Sequence, residues 1–496
     1  MIKLLSKLKN NFATLAILLI LVLGASLRTY KLSAPLADWH SWRQADTASV
    51  ANEYVKHGID LFHPKYLDLS SIPSGLDNPE GHRFVEFPFV NALHAYLAST
   101  FPQFTLVEWG RILAIFSSTL CILFIYLIMN HVSSPIAALT AALVYATLPY
   151  NLFYGRVILP EPHLVLFSLI SLYSFLHYWN TGKLGYWITS FLSLALALLL
   201  KPTSLIILLP MGFYALTEFK KISSRLIPSL LLPALALIPY YYWRKYVSQF
   251  PEGIPANAWL FNGNGIRFKG AWFRWLFGDR IARLILGYWG LLPFGYSLLG
   301  LGRAKKELAI VGGMLLGALA YMAIIATGNV QHDYYQIQII PAIAMTLGVG
   351  VDYALSLHKS IFSKITAYCV LITAYLLALA LGWYDIRGYF NINNPAIVAA
   401  GQKIDQVTTP NALIIAPYQG DTAFLFQTNR RGWPIGGEID KKIKMGASYY
   451  VTTTRDAEYN EVKAKYQLLN ETDQYSIIQL IPNRNTGVLE NRSTKQ

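Results

Sequence analysis

Residues 38–91, DWHSWRQADTASVANEYVKHGIDLFHPKYLDLSSIPSGLDNPEGHRFVEFPFVN, decide how the rest of the chain is read. An apolar run, Phe12 to Leu27, precedes this stretch, and another, Ile112 to Met129, follows it. Runs of that kind are candidate membrane spans, and a segment this polar between them belongs outside the hydrocarbon. It is too long and too rich in Trp, His and Asp for a connector. It is therefore taken as the reactive surface of a polytopic membrane protein.

The composition agrees. Of 496 residues, 54% are hydrophobic and only 14% charged, where a soluble domain has roughly 25% charged residues. The net charge of +14 is spread between apolar segments, which points to anionic lipid headgroups and away from nucleic acid. The two cysteines, Cys121 and Cys369, both fall in apolar runs and read as small buried hydrophobes, not as a disulfide. The N-terminal MIKLLSKLKN resembles a signal peptide, but the many spans behind it favour a retained first helix.

Apolar runs at 11–28, 109–130, 134–152, 162–179, 185–200, 203–218, 226–243, 283–301, 307–326, 337–354 and 365–384 predict about eleven spans, or about thirteen if 244–282 hides a re-entrant pair. Basic residues mark the predicted inner side: Lys3, Lys7 and Lys9, then Lys220, Lys221 and Arg225, then Arg303, Lys305 and Lys306, then Lys359 and Lys364. This puts the N-terminus in the cytoplasm and the 38–91 stretch outside. Residues 88–101 and WFRWLFGDR (272–280) suit helices lying at the interface. Past residue 385 the hydrophobic runs shrink to strand length, at 412–417, 449–454 and 475–481, with helix-like stretches at 395–407 and 456–469. The chain therefore divides into a transmembrane domain, 1–384, with its outer loop 30–108, and a small extracytoplasmic α/β domain, 385–496. The latter has no Walker A or GxGxxG motif and is assigned no chemistry.

Candidate chemistry collects at the predicted outer ends. If 43–56 is helical, Asp46, Ser49 and Glu53 share a face, with Arg43 three residues before Asp46. This is either a surface ion pair or a general base, which must stand within hydrogen-bond reach of an attacking hydroxyl. Asp38 is a second carboxylate. Glu86 lies among apolar neighbours, beside His82 and Arg83, which suit a phosphate. Arg156 and Glu161 form another cluster, and Lys201 either snorkels or neutralises a lipid phosphate. His332, Asp333, Tyr334 and Tyr335 fill a late outer turn. Asp38, Asp46, Glu86 and Glu161, with His63, His82, His163 and His332, are of the type that binds a divalent metal, but no compact signature such as HExxH is present, so metal dependence stays open.

On these residues the chain resembles the integral-membrane C-type (GT-C) glycosyltransferases, and within them the group of the protein O-mannosyltransferases and the lipid A aminoarabinose transferase. HSWRQADTASVANEY resembles the first-loop motif, whose more usual form is an Asp-Glu pair followed by an aromatic and an Ala. Laid over that form, the pair falls on Arg43 and Gln44, which moves the implied catalytic carboxylate to Asp46, with Asp38 in reserve. EFPFVNAL resembles the entry to the second span, where a basic residue is common in place of Glu86. LPEPHLVLF puts Glu161 at an acidic position, LLKPTSL keeps Lys201 and Pro202 of a Lys-Gly-Pro segment without its Gly, and HDYYQIQIIPAIAM resembles the turn that approaches the donor phosphate. The resemblance implies a polyprenyl-phosphate sugar donor, an acceptor hydroxyl on protein, glycan or lipid, inversion, and Lys201, Arg83 and Arg156 at the leaving phosphate. The WWD-type motif of oligosaccharyltransferases is absent. A transporter, a flippase and a polysaccharide ligase or polymerase are the rival classes.

Overall fold

The computed structural model describes residues 2–217 and 222–482. Lys220 and Lys221 of the predicted inner side lie outside the described residues, as do the side chains of Lys3, Lys7 and Lys9. The chain divides into two units: Met1–Leu32, Arg111–Tyr246 and Asn257–Tyr389 in one, Ser33–Gly110, Val247–Ala256 and Phe390–Gln496 in the other. The sequence alone groups the polar loop with 1–384, whereas by contacts it falls with the tail.

The first unit is helical, and each predicted apolar run contains helix. Among the described residues, five helical runs are long and apolar enough to cross a membrane: Leu106–Val132, Ser224–Val247, Lys305–Ile324, Asp333–Ser356 and one within Ile361–Val407. Shorter apolar helices, Phe12–Arg28, Pro135–Thr147, Leu184–Leu200, Pro202–Thr217 and Leu291–Gly300, accompany them. Lipid supplies no hydrophobic drive between helices, so close backbone packing has to do the work. At Gly350 a Cβ would stand 1.8 Å from the Pro293 carbonyl, and at Gly348 one would stand 2.3 Å from that of Ala137. Glycine at these two places lets the Ile340–Ser356 helix lie directly on its neighbours. Arg28, fully buried, ties the end of the first helix to the Tyr145 and Ala146 carbonyls at 3.1 and 3.0 Å.

Two span boundaries and the burial of one cysteine differ from the sequence expectation. The predicted 134–152 span is broken into Pro135–Thr147 and Pro149–Tyr154, because Pro149 has no N–H for the ladder and forces Leu148 out of helical geometry. The predicted 283–301 span is shorter: its first residues close a π-helical segment, Arg274–Ile285, and only Leu291–Gly300 follows as α-helix. Cys121 is buried as expected, but Cys369 is exposed.

The second unit is built on a five-stranded sheet of order β2-β1-β3-β5-β4. Its strands are β1 (Leu413–Ile415), β2 (Gly432–Trp433), β3 (Ala447–Thr452), β4 (Tyr466–Glu471) and β5 (Ser476–Pro482). β1 runs parallel to β2 and β3, while β5 is antiparallel to β3 and β4. The helix predicted over 456–469 stops at Lys465, and Tyr466 begins β4, whose burial alternates residue by residue. The polar loop belongs to this unit because it completes the sheet and the core. The Leu69 amide donates to the Gly432 carbonyl at 2.8 Å, and the Gly432 amide to that of Leu67 at 2.9 Å. Ala37 and Leu67 pack with Ile404, Ile414, Phe424 and Ile477.

Candidate active site

The Ser41–His57 helix starts behind His40, whose φ of 53° is left-handed, and ends at Gly58, whose φ of 90° favours glycine. Every residue from Arg43 to Ala51 is buried. A solvated surface helix with a solvent ion pair is therefore not what the sequence encodes. Burying this many polar groups demands a partner for each.

The Asp46 carboxylate has two. Arg83 Nη2 donates to Oδ2 at 2.6 Å, and Thr422 Oγ1 donates to Oδ1 at 2.7 Å. The arginine paired with Asp46 is thus Arg83 and not Arg43, which donates to Glu86 at 3.2 Å and to Thr47 at 2.9 Å. The Arg83 guanidinium also lies 5.0 Å from the centre of the Tyr66 ring. A carboxylate has about four lone-pair positions, so two fixed bonds orient Asp46 and leave acceptor capacity unused. Asp38, 1% exposed, accepts from Gln44 Nε2 at 2.9 Å. His82, which the sequence places beside Arg83, turns elsewhere: its Nδ1 lies 3.2 Å from Glu252 Oε1.

Two acids that sequence reasoning missed sit in the electrostatic field of Asp46. Burial pushes the Asp68 carboxyl up to about 7, against the hydrogen bonds from Ser70, and the Asp46 charge adds to the rise. Burial likewise pushes Asp421 up to about 6, opposed by the Ala423 amide and raised further by Asp46. Asp421 caps the Thr422–Gln427 helix, the same turn that offers Thr422 to Asp46. The tail, assigned no chemistry from its sequence, supplies a direct ligand of the candidate base.

In the helical unit, Lys201 and Glu161 form an ion pair. Lys201 Nζ lies 5.4 Å from the centre of the Tyr335 ring, so one late-turn residue does meet the pair. Glu161 Oε2 is buried with no hydrogen-bond partner among the described residues. His332, Tyr334 and Tyr335 stack on one another, with centroids 4.8 to 6.2 Å apart. Asp333 anchors their turn: Tyr154 and Tyr389 donate to its two carboxylate oxygens at 2.6 and 2.7 Å, and Tyr150 to its carbonyl at 2.6 Å. Arg156 is fully buried, donates to the Lys31 carbonyl at 3.1 Å and covers the Phe153 ring, so its charge serves a helix junction. His163 pairs with Ser117 at 2.8 Å, and His63 with Asp60 at 2.8 Å. Among the described residues no three His, Cys, Asp or Glu side chains converge as a metal-binding group.

With this geometry in hand, the chain can be set beside known proteins. Residues 89–243 match the family described as dolichyl-phosphate-mannose-protein mannosyltransferase. ArnT from Cupriavidus metallidurans in the apo state superposes with a TM-score of 0.65 at 13% identity, over 95% of this chain and 98% of that one. This chain has the fold of the integral-membrane C-type glycosyltransferases. The same ArnT bound to undecaprenyl phosphate gives 0.62 at 14% identity over 95% and 98% of the two chains. The archaeal oligosaccharyltransferase AglB from Archaeoglobus fulgidus, in complex with an inhibitory peptide and a dolichol-phosphate, gives 0.55 at 13% identity over 88% and 69%. No curated protein sequence matches the chain.

On this C-type fold the matched family segment takes in Glu161 and Lys201 but leaves Asp46 and its partners outside. Thr422 and Asp421 carry a weak local signal in the sequence, an Asp followed by a short apolar run, which marks a helix start and nothing more.

Proposed function

We propose that the protein transfers a sugar from a polyprenyl-phosphate donor to an acceptor hydroxyl at the outer face of the membrane, with inversion at the anomeric carbon. The observation that carries this is Asp46: a buried carboxylate in the polar loop, oriented through both oxygens by Arg83 and Thr422. Asp46 takes the proton from the acceptor hydroxyl as its oxygen attacks the anomeric carbon. The bond to the donor phosphate breaks at the same time, and the phosphate leaves with the electron pair. A phosphate needs positive charge more than a proton at that moment. Lys201 suits that role, because an ammonium has three donors and the Glu161 pair engages one. Arg83 and Arg156, candidates for the same role from sequence, are instead given to Asp46 and to a backbone carbonyl.

The matched family and the two polyprenyl-phosphate-bound structures of this fold support a lipid-linked donor. The basic-residue pattern supports eleven spans with the N-terminus in the cytoplasm and the second unit outside. His332, Tyr334 and Tyr335 offer stacking faces to a sugar or its lipid phosphate, and Asp38 and Glu86 hold the Asp46 helix through Gln44 and Arg43. The test is single-turnover transfer by detergent-purified Asp46→Asn protein, with donor affinity measured separately. Loss of transfer with intact fold and donor binding is expected. Near-wild-type turnover would remove Asp46 from the site.

A further inference from the structure

The helical unit contains a groove that the transfer reaction does not use. It lies among the Glu161–Thr181, Leu208–Thr217 and Ile222–Val247 helices, has a volume of about 480 Å³, and is lined by Phe175, Trp179, Met211, Gly212, Leu226 and Ser229, among others. The third helix turns most of its apolar surface away from the rest of the protein. Only 17% of the apolar window of Ser224–Val247 is buried, and Pro228, Pro233 and Pro239 interrupt its ladder. The Trp187 indole donates to the Pro228 carbonyl at 2.8 Å, which fixes the helix at one kink and leaves the space beside it open.

An apolar groove at a membrane-facing helix is unremarkable in itself, but this one has polar atoms without partners. Trp179, 1% exposed, has a buried Nε1, and Ser229 a buried Oγ, each with no hydrogen-bond partner among the described residues. One helical turn before Ser229, Arg225 Nη1 is in the same condition, and Arg225 Nη2 lies 3.2 Å from where a Cβ on Gly182 would stand. An indole N–H only donates, and a guanidinium only donates and carries charge. A buried donor without an acceptor costs free energy. The missing partner therefore combines hydrocarbon with acceptor oxygens and negative charge.

We infer that this groove binds an anionic membrane phospholipid, with an acyl chain along Phe175, Gly212 and Leu226 and head-group oxygens on Trp179, Ser229 and Arg225. The basic residues at this end, Lys183 and Arg225, belong to the helix ends that the sequence assigns to the cytoplasmic side. That favours a bilayer phospholipid over an outer-face lipid donor as the occupant.

Gly212 gives the test its blocking variant, since a Cβ there meets no atom within 4 Å. The full chain is reconstituted in phosphatidylethanolamine vesicles containing phosphatidylglycerol with a photoactivatable diazirine in its acyl chain, and labelled peptides are mapped. Label is expected on the peptide holding Phe175 and Trp179, lost in Gly212→Phe and reduced severalfold in Trp179→Phe and Arg225→Ala. If Gly212→Phe does not fold, Leu216→Trp closes the same groove from its exposed side. Unchanged labelling in a folded groove-filling variant overturns the site. Equal labelling by a phosphatidylcholine probe, with no effect of Arg225→Ala, overturns the anionic headgroup. Displacement of the label by undecaprenyl phosphate overturns the bilayer phospholipid as occupant.

Discussion

Two ion pairs, one in each unit, show how the same chemistry can be set for different tasks. Asp46 with Arg83 and Glu161 with Lys201 both join residues far apart in the chain. In the first pair both side chains are nearly excluded from solvent, at 6% and 8% exposure, and both carboxylate oxygens accept a bond. In the second, Lys201 is 18% exposed, and one Glu161 oxygen has no partner among the described residues. The first pair is closed and oriented, as a base that must meet a hydroxyl at one angle should be. The second is the more open of the two on its lysine side, which suits the role proposed for Lys201 at a leaving phosphate.

The largest expected break in this comparison is Asp46→Asn. Single-turnover transfer should fall by about 10²–10⁴ while donor affinity holds, because the amide keeps the contacts but cannot take the proton. Asp38→Asn, which alters a bond to Gln44 and none to Asp46, should cost much less. The reverse ranking would move the base to Asp38.

Lys201→Ala comes next. Losing one charge-assisted contact to phosphate corresponds to about 1.5–3 kcal/mol, or roughly ten- to hundredfold in donor affinity. It also leaves Glu161 buried and unpaired, which destabilises by about 3–5 kcal/mol. The double variant Lys201→Met with Glu161→Gln separates the two effects: thermal stability should recover and donor affinity should not. Recovery of both would make the pair purely structural.

Thr422→Val removes one of the two bonds that orient Asp46. Turnover should drop by about tenfold at unchanged donor affinity, and Thr422→Ser should restore most of it. An effect on donor affinity alone would argue against orientation of the base.

The smallest effect on transfer belongs to Asp68, and it appears in stability. Its carboxyl, held near 7 by burial, has an ordinary value of about 3.9 in the unfolded chain. Between those values the folded protein keeps a proton that the unfolded chain releases, so stability is full below about pH 4 and is lost as pH rises through about 7. Melting curves from pH 5 to 8 should show that decline, and Asp68→Asn should flatten it. A wild-type melting temperature that rises over this range would contradict the assignment.

How much of this was legible in the sequence differs between the two regions for a physical reason. Apolar runs and the 43–56 helix are local patterns, so the helices and Asp46 itself stood out. The partners of Asp46 did not: Arg83 is 37 residues away and Thr422 is 376 away, and only the folded loop and tail bring them together. β2 is two residues long and the 67–69 pairing no longer, too short for any periodicity to register. At Tyr466–Glu471 the residues Gln, Leu and Glu favour helix, yet pairing with β5 makes a strand. Pro149 is different: the residue stands in the sequence, but its apolar surroundings let the 134–152 run read as one unbroken span.

The central claim is tested most directly by following the donor. Purified protein, reconstituted with a polyprenyl-phosphate sugar labelled in the sugar and a mixture of envelope acceptors, should release polyprenyl phosphate and pass the label to an acceptor with inverted anomeric configuration. The Asp46→Asn protein should bind the same donor and release almost none. Equal transfer from a water-soluble nucleotide sugar, or full release by the Asp46→Asn protein, would contradict the account.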